Sequence, residues 1–99
     1  DGLIDWSLDA KKIDAFIRAQ DTPYPRAFFK LNKKIVKIVS HSVDAREIHG
    51  SYGQVFQIYD THVVICCDKS TALQISKVQI DGKIVSAKTV INSIKMRLN

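Results

Sequence analysis

The sequence predicts a mainly β fold, a small antiparallel barrel with one helix before the strands and one helix after them. Apolar residues recur with helical spacing only near the two ends of the chain. Between residues 27 and 80 they form short strand-like segments separated by turn signals. Short strands at regular spacing around one core are typical of small barrels.

Length and composition indicate one folded domain. The chain has 99 residues, of which 45% are hydrophobic and 25% are charged, a balance that favours a packed core over disorder. The longest apolar run, residues 63–67, is much shorter than the ~20 residues that span a bilayer. No signal peptide is visible, and the chain begins with Asp1 rather than Met, so we expect a piece of a longer protein.

The first helix is predicted over residues 8–20. Ser7 occupies the position of an N-cap, and Asp9 would place a negative charge in the first turn, where it favours the helix dipole. Asp14 and Arg18 have the i, i+4 spacing of an ion pair. The apolar stripe consists of Ile13, Phe16 and Ile17. Two prolines in residues 21–25 end the helix.

About five or six short strands are predicted after this break, five of which can be placed, with turns and one polar loop at residues 42–51 between them. The strands cover residues 27–30, 33–40, 54–59, 62–67 and 72–80. Turns are predicted at Leu31-Asn32, Asp60-Thr61 and Asp81-Gly82.

The segment 72–80 changes its apolar phase. Leu73 and Ile75 occupy odd positions, whereas Val78 and Ile80 occupy even ones. A regular strand would turn half of these side chains to water, since successive residues point to opposite faces. We therefore expect a β-bulge near Ser76-Lys77, and bulges are common where small barrels bend.

The last helix is predicted from about Ala87, with Ser86 as its cap. Its apolar stripe would consist of Val90, Ile91, Ile94 and Leu98. Lys95 and Arg97 would complement the negative end of the helix dipole.

Cysteine and histidine patterns give no catalytic or metal site. Cys66 and Cys67 are adjacent on a strand, so they point to opposite faces, and we expect two reduced, half-buried thiols in a cytoplasmic protein. The histidines at 41, 49 and 62 lack the paired short spacing of metal ligands, and solvated histidines are expected.

A basic segment is the best candidate for a functional site. The formal net charge is +5, and five cations fall within the twelve residues 26–37. No acid lies in this segment, and the first one after it is Asp44. They are Arg26, Lys30, Lys33, Lys34 and Lys37. We expect them to form one basic edge, with Lys33 and Lys37 on one strand face and Lys34 on the other, that contacts nucleic-acid phosphates.

Two alternatives to nucleic-acid contact remain open for this segment. Lysines at a strand edge also prevent edge-to-edge aggregation. Phe28 and Phe29 lie among the lysines and would either stack on bases or pack in the core.

Several motifs resemble, in order and spacing, the C-terminal domain of methionyl-tRNA formyltransferase and its relatives. They are Ile4-Asp5-Trp6-Ser7, Ile17-Arg18-Ala19, Pro23-Tyr24-Pro25, Ala27-Phe28, Tyr52-Gly53-Gln54-Val55 and the strand 63–68. Arg26 and Cys67 stand where that family has glycine, and Tyr24 stands where it has tryptophan. The tyrosine is more similar to the sugar-modifying relatives.

The resemblance implies a barrel similar to an OB-fold and a division of labour within a longer enzyme. In this family an Asn, a His and an Asp of a preceding Rossmann-like domain carry formyl transfer and that domain holds 10-formyltetrahydrofolate. No position here matches that motif, so we expect no catalytic residue and no bound cofactor in this chain. Residues 1–7 would end the interdomain linker, and residues 8–99 would form the C-terminal domain that packs on the catalytic one.

Three functions remain open at this point. The domain would help a formyltransferase hold initiator methionyl-tRNA, or it would be the structural C-terminal domain of an enzyme that formylates a nucleotide-linked amino sugar. A standalone OB-like nucleic-acid-binding module is the third alternative.

Overall fold

The computed structural model describes residues 2–20 and 26–99. It confirms a mainly β fold with a helix before the strands and a helix after them. In chain order the elements are α1 (Ala10–Ala19), β1 (Phe28–Leu31), β2 (Lys34–Val43), β3 (Val55–Ile58), β4 (Val63–Cys66), β5 (Ala72–Ile80), β6 (Lys83–Ser86) and α2 (Ala87–Val90). The predicted proline break at residues 21–25 lies outside the described residues.

All six strands form one antiparallel sheet that curls into a half-barrel, consistent with an OB-like fold. The order is β1-β2-β5-β4-β3, and β6 also pairs with β5. Strand β5 is the centre of the sheet because it pairs with three other strands. Strand β2 pairs with one of its edges. On the other edge, β4 pairs with residues 72–75 and β6 pairs with residues 77–80.

The main core lies on the inner face of the sheet, where α1 closes it. The helix contributes Ala10, Ile13 and Ile17, which are at most 6% exposed. Trp6 is also buried there, in an edge-to-face contact with Phe29 at a ring-centroid distance of 6.2 Å. Phe29 therefore packs in the core, which is the second of the two roles considered for it, and it is not available to stack on bases.

A smaller apolar cluster lies on the outer face of β4. The loop that follows β2 folds back, so Ile48 packs against Val64, Cys66 and Ala72, with Tyr59 beside them. This loop covers one half of the outer face of the sheet.

The predicted bulge in β5 is confirmed. Ser40 pairs with Lys77 and the next residue, His41, pairs with Ile75, so Ser76 is the extra residue. Leu73, Ile75 and Val78 are all buried as a result. A second irregularity lies opposite, between Ile38 and Ser40 of β2.

The predicted N-cap of α1 was wrong by two residues. Asp9, not Ser7, is the cap, and its side chain accepts a hydrogen bond from the Lys12 amide at 3.0 Å. Ser7 instead donates its hydroxyl to Asp5 at 2.6 Å, closing a local turn. The Asp14–Arg18 ion pair is confirmed at 3.2 Å.

The predicted C-terminal helix was too long. Helix α2 is a single turn, Ala87–Val90, and Ile94 is 58% exposed rather than buried. Ser93 turns the chain by accepting the Lys95 amide, and the Leu98 amide then donates to the Gly53 carbonyl at 3.0 Å. Hydrogen bonds to a distant loop thus override the helical apolar pattern.

The end of β2 and the presence of β6 also differ from expectation. Strand β2 continues to Val43, into the predicted loop, because β5 pairs with it there. Strand β6 had not been assigned, although its turn at Asp81-Gly82 was. Both turn residues have positive φ, 51° and 77°, as the tightest hairpins require.

The two cysteines lie on opposite faces, as predicted, but both are fully buried rather than half-buried. Cys66 belongs to the outer cluster and Cys67 to the main core. Both thiols are free, and burial raises the pKa of Cys67 to about 12. A thiol this far from ionisation at neutral pH is a poor nucleophile.

In the described part of the chain, no helix is both long enough and apolar enough to cross a membrane. Among the same residues, no three His, Cys, Asp or Glu side chains are grouped so that they could hold a metal ion. His41 is not solvated as expected, because it is hydrogen-bonded to Asp14 at 2.8 Å and only 13% of its side chain is exposed.

Candidate nucleic-acid interface

The β1–β2 hairpin separates the predicted basic residues onto different surfaces. Phe29 pairs with Val36, and both side chains point into the core. The alternate pairs, Phe28 with Lys37 and Lys30 with Ile35, therefore share the outer face. Two of the five predicted residues, Lys30 and Lys37, thus lie together there.

Lys33 does not share a strand face with Lys37, contrary to the prediction. It lies in the two-residue turn between β1 and β2, where Asn32 and Lys33 have positive φ angles of 50° and 69°. Lys33 is therefore a turn residue and not a strand residue. The alternation of apolar and polar residues does not show where the strand begins, so it could not distinguish the two.

Lys34 and Arg26 are engaged elsewhere. Lys34 forms an ion pair with Asp81 of the neighbouring hairpin turn at 3.0 Å. Arg26 is half-buried and lies with Arg18 and His41 around a small cavity of about 50 Å³. The predicted single edge of five cations is therefore divided into separate environments.

The edge of β1 itself is covered. The Ile4 amide donates to the Phe28 carbonyl and the Phe28 amide donates to the Gly2 carbonyl, both at 2.9 Å. At the other end of β1, the Asn99 side chain accepts the Lys30 amide at 3.1 Å. Since these bonds protect the strand edge, the lysines are not needed there to prevent edge-to-edge association.

A third lysine joins the outer face through the non-local pairing of β2 with β5. Lys37 pairs with Gln79, and Lys77 is two residues along β5 on the same face. Lys30, Lys37 and Lys77 therefore form a diagonal across three neighbouring strands, which we call the lysine diagonal. Diagonal neighbours on one face of a sheet lie roughly 7–8 Å apart.

Sequence reasoning missed Lys77 because its strand partner, Ser40, is thirty-seven residues away along the chain. The alternation within 77–80, with Val78 buried, does place Lys77 on the outer face. Only the pairing of β2 with β5 shows that this face continues the one that carries Lys37.

The surface around the lysine diagonal is open to solvent. Ile35 and Ile84, which flank it on β2 and β6, are 51% and 58% exposed. Gln79 lies between Lys37 and Ile84 in the same row of the sheet. This half of the outer face thus differs from the half that the loop after β2 covers.

None of the three lysines has an ion-pair partner among residues 2–20 and 26–99. Asp81, in the turn between β5 and β6, is paired with Lys34, and Asp60 lies 3.9 Å from Lys88. Within the described part of the chain, the lysine diagonal is therefore a row of three cations that no acid neutralises. Such a row attracts phosphates without discriminating among bases.

The whole chain resembles one known family. The sequence model described as formyl transferase, C-terminal domain, matches residues 1–95. Among curated relatives, a methionyl-tRNA formyltransferase from Magnetococcus marinus is 35% identical over 83 residues, covering 84% of this chain and 25% of the relative.

Two further relatives carry the same name. The one from Verminephrobacter eiseniae is 33% identical over 86 residues, which is 80% of this chain and 26% of the relative. The one from Polynucleobacter asymbioticus is 32% identical over 94 residues, which is 92% of this chain and 28% of the relative. The chain thus spans about a quarter of the length of the relatives it matches.

Proposed function

Since this chain belongs to the family of formyl transferase C-terminal domains, we propose that it is the tRNA-contacting, non-catalytic domain of a formyltransferase. It holds the RNA backbone through the lysine diagonal of Lys30, Lys37 and Lys77. The observation that carries this proposal is an open row of three cations on one face of the sheet, none of which has an ion-pair partner among the described residues.

The arrangement suits a phosphate backbone rather than a small anion. The three lysines belong to different strands, so their backbone positions are spread along a line rather than grouped around one point. A nucleic-acid strand presents a similar line of charges. Because lysine is a flexible point charge, the contact would be independent of sequence.

The remaining steps of the reaction are assigned to the rest of the enzyme. The relatives named methionyl-tRNA formyltransferase are about four times longer than this chain's matched region. We propose that 10-formyltetrahydrofolate and the catalytic residues belong to a preceding domain of the same cytoplasmic enzyme. In this proposal the chain holds the tRNA backbone through its positive charges while the preceding domain transfers the formyl group.

The proposal is tested with a charge-reversed variant and a matched control. The variant Lys30→Glu, Lys37→Glu, Lys77→Glu removes the lysine diagonal. The control Lys11→Glu, Lys12→Glu, Lys95→Glu changes the net charge equally but lies on α1 and the C-terminal segment. Fluorescence anisotropy of labelled tRNA at one low salt concentration measures both affinities.

We expect the diagonal variant to bind tRNA at least tenfold more weakly than the control variant. Three phosphate contacts at low salt supply an effect of this order. Equal weakening in both variants would mean that net charge alone attracts tRNA. Absence of tRNA binding by the wild-type chain would contradict the proposal and favour the amino-sugar alternative.

A further inference from the structure

A groove apart from the lysine diagonal lies beside the loop that contains Tyr52. It has a volume of about 580 Å³ and lies between residues 50–52, the turn at residues 67–70 and Arg97. Tyr52 is 56% exposed and forms part of its wall. Sites for small ligands usually have volumes of about 300–1,000 Å³.

The backbone holds Tyr52 and Arg97 at this groove through hydrogen bonds on either side of Gly53. The Gly53 amide donates to the Cys66 carbonyl at 2.9 Å, and the Gly53 carbonyl accepts the Leu98 amide at 3.0 Å. Gly53 has a φ of +83°, and a Cβ there would lie 3.0 Å from the Leu98 carbonyl oxygen. Glycine thus permits the close approach that brings Arg97 beside the loop.

The opposite wall is a fixed turn. Lys69 and Ser70 both have positive φ, 57° and 59°, which non-glycine residues rarely adopt. The Ser70 carbonyl accepts the Ile48 amide at 3.0 Å, and the Ser70 hydroxyl lies 2.9 Å from His49 Nδ1. Lys69 is therefore presented from a defined backbone rather than from a loose loop.

The charged groups of the groove have no partners within the described part of the chain. Lys69 and Arg97 form no ion pair there, and the Asp68 carboxylate accepts no hydrogen bond there. An exposed aromatic ring thus lines one groove together with two cations and one carboxylate that have no partner among residues 2–20 and 26–99.

We propose that this groove, the Tyr52 groove, binds a nucleotide. The base stacks on the Tyr52 ring, since aromatic side chains bind bases of any sequence by stacking. Lys69 and Arg97 hold the phosphate, for which the arginine fork and the lysine charge are suited. Asp68 accepts a hydrogen bond from a ribose hydroxyl, a role in which a carboxylate is common.

Two sources share this chemistry, a free nucleotide and the unpaired end of a nucleic-acid strand. The inference does not depend on the lysine diagonal, because the groove is built from other residues. It would persist if the proposed tRNA contact were wrong.

The test is a titration of the ¹⁵N-labelled 99-residue chain with ADP, adenosine and tetra-adenylate, followed by amide chemical shifts. We expect saturable shifts at residues 50–53, 67–70 and 97. Tyr52→Ala should weaken ADP binding about tenfold or more, the usual range for one lost stack. Tyr52→Phe, which keeps the ring, should leave the affinity within about twofold of the wild type.

Arg97→Gln separates phosphate contact from stacking. It should weaken ADP binding and leave adenosine binding unchanged. Tighter binding of ADP than of tetra-adenylate identifies a free nucleotide as the source, and the reverse order identifies a strand end. Either order supports the groove when Tyr52→Ala weakens both.

An unchanged ADP affinity in Tyr52→Ala would overturn the proposal, as would shifts confined to β1 and β2. Because Tyr52 is exposed, its truncation should not unfold the domain, and the same spectra verify this. The variant Lys30→Ala, Lys37→Ala, Lys77→Ala should keep the wild-type ADP affinity. If that variant loses tRNA binding but keeps its ADP affinity, the tests of the lysine diagonal and of the Tyr52 groove are independent of each other.

Discussion

Asp44 is the buried charged residue in the described part of the chain, at 6% exposure, and its carboxylate is fully hydrogen-bonded. Arg46 donates to both oxygens through Nε and Nη2, at 3.0 and 2.9 Å, and Gln74 donates to Oδ2 at 3.0 Å. The Arg46 guanidinium also lies over the Tyr59 ring, 5.8 Å from its centroid. These contacts fix the start of the loop that covers β4.

We predict that Asp44→Asn lowers the free energy of unfolding by about 1–3 kcal/mol, the usual effect of leaving buried donors without their acceptor. Urea unfolding monitored by circular dichroism measures the change. Asp60→Asn is the matched control, because Asp60 is fully exposed and should change stability by less than about 0.5 kcal/mol. Equal effects in the two variants would mean that the Asp44 hydrogen bonds do not contribute to the free energy of unfolding, and would contradict this prediction.

The same contacts predict a pH dependence. The hydrogen bonds from Arg46 above all, and then from Gln74, hold the pKa of Asp44 well below its usual range, against the opposing effect of burial. Because the pKa is lower in the folded state, this stabilisation is complete above the unfolded pKa of about 4 and is lost as the pH falls below it. The stability difference between wild type and Asp44→Asn should therefore stay constant from pH 7 to 5 and shrink below pH 4.

Residue-scale predictions succeeded where the property follows from strand alternation. Cys66 and Cys67 lie on opposite faces because successive strand residues must. The full burial of Cys66 was not predictable, since it depends on Gly50 and the loop around it packing against the Cys66 thiol. The basic character of the β1–β2 hairpin was visible in the sequence, but the engagement of Lys34 with Asp81 was not.

At the scale of single elements, α1 shows how a cap is chosen. Ser7 and Asp9 are both good N-cap residue types, and the sequence alone favoured the first. Asp9 is the cap because Ser7 is already bonded to Asp5. In addition, the Ala10 amide donates to the Thr71 hydroxyl at 2.9 Å, which fixes the first turn against the residue that precedes β5.

We predict that Asp9→Ala destabilises the domain by about 1 kcal/mol through loss of the cap. Ser7→Ala should have a smaller effect, because it removes only a local turn contact on the surface. Thermal unfolding of the two variants side by side measures the difference. The assignment of Asp9 would be wrong if Ser7→Ala were the more damaging change.

The element boundaries that were predictable are those set by local chemistry. The phase change in 72–80 placed the bulge near Ser76-Lys77 because each residue of a strand faces in or out, and the pairing shows Ser76 as the extra residue. The end of α2 was not predictable, since Leu98 is drawn to Gly53, a partner forty-five residues away.

At the scale of the whole molecule, the half-barrel divides its outer face into two halves. The loop after β2 covers the half beside β4 with Ile48, whereas the half formed by β1, β2, β5 and β6 carries the lysine diagonal. The succession of helix, short strands and helix along the chain followed from the sequence, but β6 and the order of the strands in the sheet did not. The joining of Lys30 and Lys37 to Lys77 did not, because it depends on which strands are neighbours.

The central claim is that the lysine diagonal contacts phosphates, and the salt dependence of tRNA binding tests it most directly. Each phosphate contact contributes a slope of roughly 0.7–0.9 in log K against log salt concentration. The variant Lys30→Ala, Lys37→Ala, Lys77→Ala should therefore lower the slope by about 2 to 3, while Lys11→Ala, Lys12→Ala, Lys95→Ala should leave it near the wild-type value. An unchanged slope in the first variant, or an equal decrease in both, would contradict the account.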